Sequence, residues 1–240
     1  KVVVESFLQG IEVSVFAITD GENYLMLPEA KDYKRVGEGD KGLNTGGMGA
    51  VSPLPFFDEI LKQKIIHRIV EPTIKGLGKD ELEYRGFIFF GLMINNGEPL
   101  VIEYNCRLGD PETEVIIPRM KNDLVELFTA VTNGKLSEIS ISLDSRCAAA
   151  VVAVSGGYPG NYTKGKPIEG LLEKTVEDSL VFHAGTLQKD KQIVTNGGRV
   201  MVVTAFGSNI REAAEQSVYM MEQLYFEDMK FRSDIGYEFA

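Results

Sequence analysis

The apolar run Gly86-Phe-Ile-Phe-Phe-Gly-Leu-Met-Ile94 stops at Asn-Asn-Gly-Glu and resumes as Pro99-Leu-Val-Ile102. Two apolar stretches separated by an Asn-Gly turn predict an antiparallel hairpin. The residues after Ile102 are unusual for a strand end. Residues 103–112 read Glu-Tyr-Asn-Cys-Arg-Leu-Gly-Asp-Pro-Glu, so a carboxylate, an amide, a guanidinium and two more carboxylates fall within ten positions. On a continuing strand Glu103, Asn105 and Arg107 lie two apart and share one face. A carboxylate and an amide oxygen side by side suit a hard cation that keeps waters and shares phosphate oxygens with a nucleotide. An in-register Arg107 can fork onto an anion. The plainer alternative is a salt-bridged strand end. On the same alternation Cys106 faces away, toward core packing.

The rest of the chain reads as α+β. Residues 1–27 predict a short opening strand, a Gln-Gly turn, the strand Ile11–Thr19, an Asp20-Gly21 turn and a strand near Tyr24–Leu27. From Lys31 to Pro55 the composition turns to Gly, Lys, Asp and Asn without periodicity, which predicts a long functional loop. Asp58 is placed to cap a helix running to about Val70, before Pro72. Asn122 is placed to cap another, whose Leu124, Leu127, Phe128 and Val131 form an apolar stripe ended by Gly134. Polar alternation over 135–146 suggests a boundary between residues 144 and 145. Beyond it, strands are expected near 147–154, 180–187 and 199–206. A helix opens at Asn209 with Glu212 three on, and Ile210, Ala213, Ala214, Ser217, Met221 and Leu224 mark its apolar face.

Bulk properties narrow the function. A formal charge of −10 argues against a nucleic-acid partner, which needs a basic stripe. Two cysteines, Cys106 and Cys147, offer neither a disulfide framework nor zinc spacing, so a reducing cytoplasm is the default. No apolar run approaches the roughly 20 residues of a membrane-spanning helix. His67 reads as a helix-surface residue and His183 as a strand residue with a satisfied ring, neither as a catalyst.

Four blocks carry a family resemblance: Val3-Val-Glu-Ser-Phe-Leu-Gln-Gly-Ile-Glu-Val-Ser14, Asp32-Tyr-Lys-Arg-Val-Gly through Asn44-Thr-Gly-Gly-Met-Gly-Ala50, the 103–112 block, and Gly156-Gly-Tyr-Pro-Gly160. Phe182-His-Ala-Gly-Thr186 and Val194-Thr-Asn-Gly-Gly-Arg-Val200 add to it. Together they resemble the carboxy-terminal part of the phosphoribosylamine–glycine ligases, ATP-grasp enzymes of purine synthesis. The resemblance implies an ATP-grasp large subdomain, an antiparallel sheet with helices, over residues 1–144, then a small α+β domain over 145–240. It implies ATP and Mg2+ or Mn2+ as cofactors, glycine and 5-phosphoribosylamine as substrates, and glycinamide ribonucleotide, ADP and phosphate as products.

By the same match, Glu5 and the backbone around Phe7 and Leu8 meet adenine, and Glu12 meets the ribose. Glu103 and Asn105 hold the metal. Arg107 clamps a phosphate or carboxylate, and Asp110 and Glu112 lie near the amine-bearing substrates, with Pro111 stiffening the turn between them. Lys31, Lys34, Arg35, Asn44, Thr45, Gly46, Gly47, Met48 and Gly49 form the phosphate and substrate loop, where glycines free backbone N–H groups to converge on an anion. No Gly-Lys-Ser/Thr follows these glycines, so the loop is not of the Walker type. The opening Lys1-Val-Val-Val reads as the inside of a strand. The resemblance places a substrate domain and the smaller ATP-grasp subdomain upstream, so the expectation is a fragment that folds but is inert without its amino-terminal half. Two readings compete: another ATP-grasp ligase or carboxylase, and a non-catalytic nucleotide-binding module.

Overall fold

The computed structural model describes residues 2, 4–171 and 178–239. In chain order its strands are β1 (Ile11–Thr19), β2 (Tyr24–Met26), β3 (Lys31–Asp32), β4 (Arg35–Gly37), β5 (Lys41–Asn44), β6 (Gly49–Ser52), β7 (Gly86–Asn95), β8 (Glu98–Asn105), β9 (Cys147–Val154), β10 (Ser179–His183), β11 (Thr186–Lys189), β12 (Gln192–Thr195) and β13 (Arg199–Gly207). The α-helices are α1 (Glu59–Ile65), α2 (Glu71–Lys79), α3 (Thr113–Arg119), α4 (Leu124–Asn133) and α5 (Ile210–Met221). The expected α+β class, antiparallel sheets with helices, is what the chain forms.

Two compact units divide the chain, each made of three separate stretches. The first takes residues 1–29, 54–109 and 121–143. Its sheet has the order β2-β1-β7-β8, every pairing antiparallel. The β7–β8 hairpin turns on Asn96 and Gly97, both at positive φ, the geometry of a type I′ turn. Val15, Phe16, Ala17, Phe90 and Leu92 are fully buried at its centre.

Asp58 caps α1 as expected, accepting from the Leu61 N–H. Helical structure does not stop before Pro72. A π-turn over Ile66–Val70 links α1 to α2, and the Glu71 N–H reaches back five residues to the Ile66 carbonyl. Pro72 then sits in the first turn of α2, where its missing N–H costs little. The cap of α4 is Asp123, not Asn122: Asp123 accepts from Val125 and Glu126, while Asn122 bonds Ser140 and Ser142. Leu127, Ala130 and Val131 form the buried stripe, and Phe128 is exposed.

The opening strand is not formed over residues 4–9, which are exposed or half-buried and irregular; Val3 lies outside the described residues. β8 ends at Asn105, so the alternation does not carry on through Arg107. Cys106 is consequently exposed rather than packed in a core.

The second unit takes residues 30–53, 110–120 and 144–240. Its five-stranded sheet runs β10-β13-β9-β6-β3, again antiparallel throughout, with α5 against β9 and β13. The Lys31–Pro55 stretch is therefore no continuous loop. β4 and β5 pair as a hairpin, and β6 is buried beside β9. A Cβ on Gly49 would stand 2.5 Å from the Ala150 carbonyl oxygen, so the glycine that dilutes the apolar signal of β6 is required by the close approach of β9. The expected 180–187 strand is split into β10 and β11, whereas β9, β13 and the Asn209 cap match their sequence signals. Helix α3, directly after Gly-Asp-Pro-Glu, carries no recognisable periodicity in its seven residues.

Candidate active site

In the first unit, register alone gathers the chemistry. Glu12 and Ser14 of β1 lie opposite Met93 and Gly91 of β7, so these four share one face. Across β7–β8, Val101 pairs with Leu92 but Glu103 pairs with Gly91, which leaves Ile102 as an extra, bulged residue. Without the bulge, Glu103 would face the same way as Val101. With it, Glu103 and Asn105 turn to the face of Glu12 and Ser14. Gly91 keeps that face open: a Cβ there would lie 3.0 Å from the Glu103 Cγ. Sequence reasoning places Glu103 and Asn105 together, but the bulge that joins them to Glu12 has no signal in the chain.

Asn105 shows what the face lacks. Its side-chain nitrogen is buried with no hydrogen-bond partner, an arrangement that costs stability unless a ligand supplies an acceptor. No group of three His, Cys, Asp or Glu able to hold a metal occurs among the described residues. A carboxylate and an amide fit a cation of the Mg2+ kind, which takes one or two protein oxygens and completes its shell with water and phosphate. Arg107 lies past the strand end, exposed, its Nη1 donating to the Leu108 carbonyl at 2.8 Å. Glu5 and Phe7 are exposed on the irregular segment and Leu8 is half-buried there, so none is carried by a strand.

The second unit builds a different cluster around a residue that the sequence pattern does not single out. Arg199, at the start of β13, donates from Nη1 to the Gly46 carbonyl at 2.7 Å and the Asp110 carbonyl at 2.9 Å. The same nitrogen pairs with Asp110 Oδ1 at 2.9 Å. Tyr158 Oη accepts from the Gly46 N–H at 3.0 Å, and Thr45 Oγ1 accepts from the Gly47 N–H at 3.0 Å. Gly47 holds φ at +118°, and a Cβ on it would stand 2.3 Å from the Pro111 Cδ. The Asn-Thr-Gly-Gly loop, the Asp-Pro turn, the Gly-Gly-Tyr-Pro turn and Arg199 are thus tied together. The only sequence trace of Arg199 is its place in the Asn-Gly-Gly-Arg-Val block.

The other expected loop residues divide by task. Lys31 pairs with Glu238 at 2.7 Å and lies over the Tyr33 ring, and Arg35 donates to the Gly42 carbonyl. Lys34 and Asn44 are exposed, Met48 is buried, and Gly49 is within the β6 ladder. Glu112 is buried at the head of α3. Two residues along, the Glu114 carboxyl is raised to about 7, first by burial and then by the Asp110 charge, with Arg199 pulling it back. The histidines are bystanders: His67 is exposed near Glu71, and the His183 Nδ1 lies 3.0 Å from Thr186 Oγ1.

Known proteins resemble this chain in sequence and in fold. The model of the phosphoribosylglycinamide synthetase ATP-grasp (A) domain matches residues 1–113, and that of the same synthetase's C domain matches residues 148–238. A phosphoribosylamine–glycine ligase of Escherichia coli O157:H7 is 47% identical over 239 residues, covering 99% of this chain and 56% of the relative. The crystal structure of such a ligase from Thermotoga maritima superposes with a TM-score of 0.86 at 37% identity, covering 96% of this chain and 57% of that one. A Campylobacter jejuni biotin carboxylase, at 16% identity and a TM-score of 0.67 over 95% of this chain and 48% of its own, shares the fold alone. The chain spans about half the length of the curated relatives it matches. Within that span, the chain belongs to the phosphoribosylglycinamide synthetase family, carrying its ATP-grasp and C domains.

Proposed function

We propose that this chain forms part of an ATP-dependent ligase that joins glycine to 5-phosphoribosylamine, releasing glycinamide ribonucleotide, ADP and phosphate. The observation that carries this reading is the Glu103–Asn105 pair turned onto the Glu12 face with a buried amide awaiting a partner. In this reading Glu103 and Asn105 would hold Mg2+ or Mn2+, and Glu12 would accept from ribose hydroxyls. Glu5, Phe7 and Leu8 belong to the adenine contact. A divalent cation held by Glu103 and Asn105 would supply charge neutralisation for the phosphate oxygens during γ-phosphoryl transfer.

In the reaction the glycine carboxylate takes the γ-phosphoryl group, and the amine then displaces phosphate from the glycyl phosphate. Neither step asks for a covalent nucleophile on the protein. Positioning and charge suffice, which matches a constellation of Glu, Asn, Arg and Lys. Arg107 is the anion clamp, Asp110 and Glu112 serve the amine side, and Lys31, Lys34, Arg35 and the 44–49 loop serve the phosphate side. No helix among the described residues is long and apolar enough to cross a membrane, and two free cysteines suit a cytoplasmic setting.

The test is ADP release by the complete polypeptide carrying this chain, with glycine and freshly made phosphoribosylamine omitted in turn. Release that needs both supports the assignment. Release indifferent to phosphoribosylamine points to another ATP-grasp ligase, and none at all points to a binding module.

A further inference from the structure

Both polar groups of the Gly46 backbone are held by side chains, and those side chains have donors left over. Four consecutive N–H groups of the loop are spent inside the second unit: Thr45 on the Lys34 carbonyl, Gly46 on Tyr158 Oη, Gly47 on Thr45 Oγ1 and Met48 on the Tyr33 carbonyl. That stretch therefore offers an anion no nest of backbone donors. Arg199 differs. Its Nη1 alone meets the Gly46 carbonyl, the Asp110 carbonyl and Asp110 Oδ1, while Nε and Nη2 have no hydrogen-bond or ion-pair partner among the described residues. A Cβ on Gly46 would stand 3.0, 3.1 and 3.2 Å from the Arg199 Cζ, Nη2 and Nε, so the bare glycine lets the guanidinium lie over it. The Arg199 side chain is 22% exposed and so within reach of a ligand. Tyr158 stands beside it: a Cβ on Gly198, the residue before Arg199, would meet the Tyr158 ring at 2.2 Å. The Tyr158 hydroxyl accepts from the Gly46 N–H, and its own proton has no acceptor among the described residues.

We propose that the Nε–Nη2 edge of Arg199, with the Tyr158 hydroxyl beside it, binds the anionic oxygens of a substrate carboxylate or phosphate, an assignment that rests on the ligase reading. A guanidinium is a planar fork of donors. With Nη1 clamped by Gly46 and Asp110, the other edge is fixed in direction before a ligand arrives, and its parallel N–H groups match a carboxylate or a phosphate bidentately. Asp110 is the orienting partner, and by pairing through Nη1 it leaves that edge uncovered. The glycine-rich loop then serves its ligand by seating Arg199, not with its own N–H groups. Glycine carries a carboxylate and 5-phosphoribosylamine a phosphate, and the experiment separates them.

The test is steady-state ADP release by the complete polypeptide, with KM measured separately for glycine, phosphoribosylamine and ATP in wild type, Arg199→Lys and Tyr158→Phe. Thermal unfolding of each variant is followed alongside. Lysine keeps a cation for Gly46 and Asp110 but has no second edge to present, so Arg199→Lys should raise the KM for one anionic substrate about ten- to hundredfold while the KM for ATP stays put. Tyr158→Phe should raise the same KM by a smaller factor, and it carries the test where Arg199→Lys does not fold. A rise confined to glycine assigns its carboxylate to Arg199, and a rise confined to phosphoribosylamine assigns its phosphate. Folded variants in which no KM moves, in which only kcat falls, or in which the KM values rise together would overturn the proposal. Wild-type ADP release that needs neither glycine nor phosphoribosylamine would instead overturn the ligase reading, and this assignment with it.

Discussion

Two clusters, one in each unit, treat their polar groups in opposite ways. On the first unit's sheet, the Asn105 amide nitrogen is buried without a partner, and Glu103 lies against a glycine. In the second unit the Arg232 cluster and the Arg199 Nη1 are matched inside the protein, although Glu114 Oε2 there is also buried without a partner. Arg232, 1% exposed, bonds Asp40 at 2.7 Å and Asp234 at 2.7 and 2.9 Å, and Asp110 is pinned by Arg199. The first arrangement is weak until a ligand completes it, whereas the second is a finished scaffold that aims loops. Polar groups left unmatched mark where chemistry is expected, and matched ones mark what holds it still.

That contrast predicts effects of different kinds. The largest belongs to Glu103→Ala, expected to lower ADP release by the complete polypeptide about a thousandfold while leaving the fold intact. Asn105→Ala should also cut activity yet leave stability level or higher, since its amide nitrogen gives up no intramolecular bond. A clear loss of stability in Asn105→Ala would break the comparison.

Arg232→Met should act the other way, costing about 3 kcal/mol of stability in urea unfolding at pH 7. Burial works to raise the Asp234 carboxyl, but its bonds to Arg232 and Gly39 outweigh this and hold it below the usual range. A carboxyl depressed in the folded state stabilises above the ordinary aspartate pKa and loses that contribution as pH falls through its folded value. The Arg232→Met penalty should therefore shrink in strong acid. Gly47→Ala should cost about 2–3 kcal/mol, because it forces a side chain into a left-handed φ and against Pro111.

The smallest effect sharpens the contrast within one unit. Glu114 is raised, so the folded state holds a proton that the unfolded chain has released between its ordinary pKa and about 7. Stability falls with rising pH across that window. Glu114→Gln should therefore be more stable than wild type at pH 8 by on the order of 1–2 kcal/mol, with the gain vanishing near pH 4. Equal stability at both pH values would show that this carboxyl is as relaxed as a surface one.

These differences also explain how much of the molecule is legible in its sequence. Glu103 and Asn105 can be read because a hairpin with an Asn-Gly turn and period-2 alternation is local information. The bulge at Ile102 cannot, since an extra residue in a strand leaves the composition unchanged. In the second unit the informative contacts are remote: Arg199 meets Gly46 across 153 positions and Asp110 across 89. No periodicity encodes such a meeting. β6 reads as loop because Gly49-Ala-Val-Ser52 is too short and glycine-bearing to announce a strand, and its identity comes from β9 beside it.

The interleaving of the two units has a practical consequence for anyone dissecting the chain. A piece beginning at residue 144 would carry β9 and β13 but not β6 or β3, which normally continue the sheet on the other side of β9. Over Ala148–Val151, where β6 pairs, β9 would become an open edge with unpaired backbone. Such an edge recruits strands from other molecules. The isolated carboxy-terminal piece should consequently aggregate, and supplying residues 30–53 in trans, or grafting them ahead of β9, should restore solubility.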